Sequence, residues 1–89
     1  MKKERLFELG KLTLSEGAKA ISHIEVSRAM SRYLCGDWGD CSQVERADND
    51  AALCKGFPLR AVYHTEEGVV CFQTDAARTQ TTVYLAGEN

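Results

Sequence analysis

The chain is short of the residues that usually announce a function. In 89 residues it has one proline (Pro58), one tryptophan (Trp38) and two histidines (His23 and His64). No apolar run approaches the roughly 20 residues needed to cross a bilayer, so no membrane contact is expected. The opening MKKERLFELGKL has basic residues with no apolar stretch behind them, unlike a signal peptide, and a cytoplasmic location is expected. Basic excess is missing too. The net charge of -2 argues against direct nucleic-acid binding, which usually shows as a strong positive balance. No Walker-type or dinucleotide-binding glycine pattern occurs, nor H-E-x-x-H or G-x-S-x-G. No repeat or low-complexity stretch complicates the reading.

Four cysteines are present without a close pair. Cys35, Cys41, Cys54 and Cys71 are separated by 6, 13 and 17 residues, whereas zinc sites usually bring at least one pair together on a turn. Reduced, mostly buried thiols are expected rather than a metal site or a disulfide. Cys41, near a helix start, is the one whose thiol such a position would acidify. His23 and His64 form no ligand pattern with the cysteines and read as structural histidines. No catalytic residue, metal ligand or cofactor is assigned.

What is present is an ordered set of start and stop signals. Residues 3–9 predict a short helix with Leu6, Phe7 and Leu9 on one side, stopped by Gly10. Ser15 caps a second short turn running to Ile21. Ser22-His23-Ile24-Glu25 reads as a capping box, and Val26, Ala29, Met30, Tyr33 and Leu34 then fall on one helical face, closed by Gly36. Asp40-Cys41-Ser42-Gln43 reads as a second box. Its helix is expected to bury Val44, Ala47, Ala51 and Cys54, with Leu53 beside them, and to turn Glu45, Arg46, Asp48 and Asn49 outward, ending at Gly56-Phe57-Pro58. The period then changes to two. Strands are expected over Leu59 to Thr65, Val69 to Thr74 and Thr79 to Ala86, with a turn at Glu66-Glu67-Gly68.

The expected fold is therefore α+β: two capped helices joined by the Gly36-Asp37-Trp38-Gly39-Asp40 turn, packed on one face of a three-stranded antiparallel meander. One domain spans 1–89, with a helical part over 3–56 and the meander over 58–86.

The turn holds the residues of most interest. Asp37 and Asp40 are either turn and cap residues or oxygen ligands for a cation, and two carboxylates fall far short of the about six to eight oxygens of a calcium loop. Direct contact with a partner is the further reading. Trp38 is either a core anchor at the junction of helices and sheet or an exposed hot spot. Glu45, Asp48 and Asp50, with Glu66 and Glu67 at the hairpin tip, are either a solvated surface or one that meets a basic partner. The basic Lys2, Lys3, Arg5 and Lys11 read as a solvated terminal face.

The Gly36-Asp37-Trp38-Gly39-Asp40 core, with Gly56-Phe57, Tyr63, Thr74-Asp75 and Thr81-Thr82-Val83-Tyr84-Leu85, resembles a family of small uncharacterised proteins of plasmids and integrated mobile elements. They are commonly labelled "plasmid-related protein" or placed beside type I restriction systems. The likeness runs from about Leu9 to Leu85. It implies a mobile-element accessory protein and extends the expectation to anti-defence (anti-CRISPR) members; it brings no catalytic residues. The cysteines depart from the family pattern.

Together these predict a non-enzymatic protein-binding module, most concretely an inhibitor that binds a host protein complex such as a CRISPR or restriction effector and blocks its nucleic-acid site. The partner-binding candidates are Asp37, Trp38, Asp40, Glu45, Asp48 and Asp50. The alternative is a small DNA-associated plasmid accessory protein. A monomer or a homodimer is compatible with either.

Overall fold

A computed structural model describes residues 5–88. The elements, in chain order, are β1 (Lys11–Leu14), α1 (Glu16–Lys19), α2 (His23–Leu34), α3 (Gln43–Lys55), β2 (Leu59–Thr65), β3 (Gly68–Thr74) and β4 (Gln80–Leu85). The α+β class stands, but the sheet is four-stranded and mixed, in the order β1-β4-β3-β2. The expected meander is its antiparallel part. β1 adds to it in parallel alongside β4, with Leu12 opposite Thr81 and Leu14 opposite Val83. This strand sits inside the stretch expected to be helical. Its four residues carry no pattern of their own, and pairing with β4 is what makes them a strand.

The predicted helix over 3–9 is absent where it can be seen: residues 5–10 are not helical, and 3 and 4 lie outside the described residues, as do Lys2 and Lys3. The segment runs alongside α2 instead, with Leu6 N–H donating to Leu34 O (2.8 Å). It inserts Phe7 into the core and delivers the chain to β1. A tertiary slot for one aromatic ring has outweighed a weak local preference.

Burial on the sheet follows its period. Leu59, Thr74 and Thr81 form one cross-strand row, Ala61, Phe72 and Val83 the next, and all six are buried. α2 lies over this face as predicted, burying Val26, Ala29 and Tyr33. The core is strongly aromatic. Tyr33 meets Phe7 edge-on at 5.1 Å, Trp38 at 5.8 Å and Phe72 at 5.0 Å, and Phe72 in turn meets Tyr63 at 5.6 Å. Each such pair contributes about 0.5–1.5 kcal/mol beyond its buried area.

One chain of hydroxyls runs through this core. Thr81 Oγ1 donates to Leu9 O (2.8 Å), so its contact with Thr74 Oγ1 (2.8 Å) must be an acceptor. Thr74 then gives its proton to Thr81, and Tyr33 Oη donates to Thr74 (2.6 Å), a far shorter contact than its other acceptor, Leu59 O (3.4 Å). Three buried hydroxyls are thereby satisfied in one direction, from α2 across β3 and β4 to the N-terminal segment. Burial raises the Tyr33 phenol to about 12, which keeps it protonated as this relay requires.

Two caps differ from expectation. Ser22 does cap α2, accepting from Ile24 N–H, but Glu25 does not close a box. The Ser22 N–H instead donates to Glu67 of the β2–β3 hairpin (3.1 Å), while Glu25 pairs with Arg28. The cap of α3 is Ser42 and not Asp40. Ser42 and Glu45 exchange both bonds of a capping box at 3.1 Å, two residues later than read from Asp40 and Gln43. At its other end α3 stops at Gly56, in the left-handed region, and Arg78 from the β3–β4 turn donates to the carbonyls of Ala52 and Phe57.

α3 also packs differently. It lies against β2, the outer strand, rather than over the sheet face, and buries Asn49 and Ala52. Val44, Ala47 and Cys54, expected in the core, are exposed, and Ala51 is half-buried. Among the described residues no helix is long and apolar enough to cross a membrane.

Candidate protein-binding face

The turn between α2 and α3 is built to fit the outer edge of β2. An edge strand presents unpaired N–H and C=O groups, and they need partners or solvent. Here they are taken one after another. Asn49 donates to Arg60 O (2.7 Å) and accepts from Arg60 N–H (3.3 Å), so one side-chain amide imitates a neighbouring strand. Gly39 forms a bridge with Val62, with Asp40 N–H donating to Val62 O at 2.8 Å. The Asp40 carboxylate then accepts from His64 N–H (2.8 Å) and lies 2.7 Å from His64 Nδ1.

Gly39 has to be glycine for this approach. Its φ is +74°, and a Cβ there would lie 2.3 Å from Val62 O. Asp37 holds the corner from the other side. It receives two bonds from the Arg32 guanidinium (2.8 and 3.3 Å) and one from Gly39 N–H, and its carbonyl accepts from Tyr63 Oη (2.7 Å). Trp38 is 1% exposed and donates from Nε1 to Asp50 (2.9 Å).

These contacts sort the six candidates. Trp38 is a core anchor; its ring has no surface to offer as a hot spot. Asp37 and Asp40 are turn residues tied to Arg32 and His64, and the N-cap role expected of Asp40 belongs to Ser42. Asp50 braces Trp38, and Glu45 closes the α3 box. Both stay solvent-exposed despite these bonds. Asp48 alone among the six makes no hydrogen bond or ion pair with a described residue. The bonds to Glu45 and to Asp40 hold both carboxyls below their usual range: backbone and side-chain bonding to Ser42 for the first, the His64 contact for the second.

The apolar stripe that should have been core is the feature sequence reasoning misplaced. Val44 is 70% exposed, and Ala47, Ala51 and Cys54 continue its line along α3. On a helix these residues share one face, with Asp48 along one flank and Asp50 along the other. Beside Asp48 the surface drops into a depression of about 300 Å³ between α3 and β2, lined by Cys41, Glu45, Asp48, Arg60, Val62 and Gln73. The outcome is a small apolar ridge with Asp48 and Asp50 on its flanks and Lys55 at its C-terminal end, next to a hollow that holds Glu45, Asp48 and Arg60. The signal that would have placed it was Asn49: a polar residue that satisfies a strand edge must face inward, and its helical position then sends Val44 and Ala47 out.

The cysteines are all free, with Cys71 buried, Cys35 and Cys41 half-buried and Cys54 exposed, so only one of the four meets the expectation of burial. Burial raises the Cys71 thiol. No group of three or more His, Cys, Asp or Glu side chains suited to a metal occurs among the described residues. No family model, curated protein or solved structure matches this chain.

Proposed function

We propose that the chain is a non-enzymatic protein-binding module that docks through the outer face of α3. The observation that carries this is the line of exposed Val44, Ala47 and Cys54 with half-buried Ala51, flanked by Asp48 and Asp50. Leaving Val44 at 70% exposure forgoes stabilisation that burial would supply, about 1.5–3 kcal/mol for such a side chain, and a partner that covers it recovers that term. The acids on its flanks select a basic rim on that partner.

The resemblance to plasmid and mobile-element proteins makes the proposal concrete. The partner is a host nuclease complex in the cytoplasm, a CRISPR or restriction effector, whose basic nucleic-acid channel accepts the acidic ridge in place of phosphate. Glu45 and Asp48, at the mouth of the hollow beside Arg60, are placed to receive a lysine or arginine side chain. The DNA-associated alternative requires a basic recognition helix. α3 exposes Glu45, Asp48 and Asp50 against Arg46 and Lys55, an acidic balance, and Arg5 is paired with Glu8.

The test uses purified CRISPR and type I restriction effectors, with DNA binding followed by mobility shift. Addition of the wild-type chain should abolish the effector–DNA shift for one of them. A double variant, Val44→Glu with Asp48→Lys, should weaken inhibition at least tenfold while its thermal unfolding stays within a few degrees of wild type, since neither side chain is buried. Undiminished inhibition by the folded variant would rule out the α3 face. A shift of DNA by the chain alone at low salt would favour the alternative.

A further inference from the structure

The two edges of the sheet are treated in opposite ways. The β2 edge is covered by Asn49, Gly39 and Asp40, as described above. The β1 edge carries no described element. β1 is held to β4 through Lys11 N–H to Thr79 O (2.8 Å) and Ser15 N–H to Val83 O (2.9 Å). Alternation along a strand then aims residues 11, 13 and 15 at β4 and turns the N–H and C=O of Leu12 and Leu14 outward. Neither leucine N–H has a partner on that side among the described residues.

The same two leucines border a groove of about 470 Å³ whose other wall includes Ala18, Ile21, Val26 and Met30, along with the polar Lys19 and His23. Leu12 is 37% exposed, and Ile24 on the neighbouring surface of α2 is 62% exposed. Of the usual blocks to edge pairing, β1 carries its shortness and one lysine, Lys11, at its start. There is no proline or bulge in Lys11–Leu14, and no charge among its inward-facing side chains.

We infer that this edge pairs with a second copy of the same chain, β1 antiparallel to β1, about a two-fold axis perpendicular to the sheet at Thr13. Self-complementarity selects the occupant and the register. With Thr13 opposite Thr13 of the second copy, Leu12 lies opposite Leu14 and Leu14 opposite Leu12. Those are the two residues whose polar groups point outward, so both become hydrogen-bonded pairs and every free donor and acceptor of the edge is used. A shift by one residue would set outward-facing groups against inward-facing ones and leave them unpaired.

Side chains agree with this register. Leu12 and Leu14 of the two copies meet across the strands on the helix side, which closes the groove from both sides. The register also puts Lys11 opposite Ser15 and next to Glu16, whose side chain is 93% exposed, so unlike charges meet at each end. Because the axis is perpendicular to the sheet, both α2 helices lie on the same side, and the two copies of a four-stranded sheet join into one of eight. The α3 ridge stays free on each outer edge. This inference is independent of the proposed function, since the two surfaces lie on opposite edges of the sheet.

The experiment is sedimentation equilibrium of the full chain at about 100 µM, a concentration at which modest association shows as mass action. A mass near twice 9.9 kDa is expected, falling to the single-chain value in Leu12→Lys, which sets a charge in the apolar pair. Disulfide trapping fixes the register. In a Cys54→Ser background, Thr13→Cys should form a cross-linked dimer at least tenfold faster than Thr82→Cys, an exposed position on the same sheet face. Residues facing each other at a non-hydrogen-bonded pair lie within disulfide reach. Equal trapping of the two variants would overturn the register and the proposal with it. So would a monomeric wild type, in either form: slow amide exchange at Leu12 and Leu14 would mean that terminal residues of the same chain cover the edge, and fast exchange that the edge stands open.

Discussion

Replacing Gly39 by alanine should destabilise the protein far more than the same change at Gly56, although the two have nearly the same backbone angle. Gly39 has φ +74° and Gly56 φ +75°, so each variant bears the left-handed penalty of about 1–2 kcal/mol. At Gly56 nothing lies within 4 Å of the added Cβ, and that penalty is the whole effect. At Gly39 the Cβ meets Val62 O at 2.3 Å and Tyr63 Cδ1 at 2.6 Å. An ordinary carbon–oxygen approach is about 3.3 Å, so the turn must retreat by about 1 Å. That retreat lengthens the 2.8 Å bond from Asp40 N–H to Val62 O beyond bonding range and strains the Asp40–His64 contacts, at about 0.5–1.5 kcal/mol each. The total is about 4 kcal/mol, a large share of the about 5–15 kcal/mol by which domains are stable. Urea unfolding monitored by Trp38 fluorescence reads it directly, and the thermal midpoint should fall by about 16–32 °C, against about 4–16 °C for Gly56→Ala. Gly36→Ala should resemble Gly56→Ala, because its close neighbour, Leu6 Cδ1 at 2.9 Å, is a side-chain end that can turn aside. If Gly39→Ala costs within about 1 kcal/mol of Gly56→Ala, the turn does not close on the β2 edge as described.

Three further outcomes follow from the structure. Thr81→Val should cost about 1–3 kcal/mol in urea unfolding despite its near-equal volume, because Thr74 loses the acceptor for its buried proton and Leu9 O its donor. Acid should destabilise the fold. Asp40, Glu45, Asp75 and Glu88 are all held below their usual carboxyl range by hydrogen bonds, from His64, Ser42, Thr79 and Ser15 first in each case. A depressed folded pKa gives stability that is complete above the unfolded value of about 4 and is lost as pH falls through the folded values, so the thermal midpoint should be flat from neutrality to about pH 5 and decline below about pH 4. Glu88→Gln should flatten part of that decline at a cost in stability at neutral pH, because the amide oxygen can still accept from Ser15 Oγ and Leu85 N–H while its NH2, a donor only, cannot replace the oxygen that accepts from Gly17 N–H. Thiol labelling in the native state should modify Cys54 first and Cys71 only on unfolding, which mass spectrometry after partial labelling resolves.

Where a signal in the chain was local, it was legible. The span Leu59–Thr65 and the hairpin that follows were readable because alternation and turn chemistry act within a few residues. The apolar face of α2 was readable because five of its residues repeat at helical spacing over a wide core. β1 was not, since four residues hold no period and owe their conformation to β4, nearly seventy positions away in the chain. The capping boxes were half-readable. At α3 two acceptor residues, Asp40 and Ser42, compete two positions apart, and the approach of His64 decides which of them is free to cap. The candidate face was concealed by the same ambiguity of a weakly amphipathic helix. Alanines on both sides of α3 allow either side to be buried.

By itself the sequence determined the class, the order of α2, α3 and the antiparallel strands, and the tight turn at Gly36-Asp37-Trp38-Gly39-Asp40, since all of these follow from propensities, caps and periods that act over one or two turns of chain. Tertiary structure alone decided that β1 joins the sheet in parallel, that Trp38 is buried with its nitrogen on Asp50, and that α3 presents Val44 and Asp48 to solvent while Asn49 turns in. The physical reason is the edge of β2. Its unpaired backbone groups must be satisfied, and the side chains that satisfy them set the orientation of the turn and of the helix behind it.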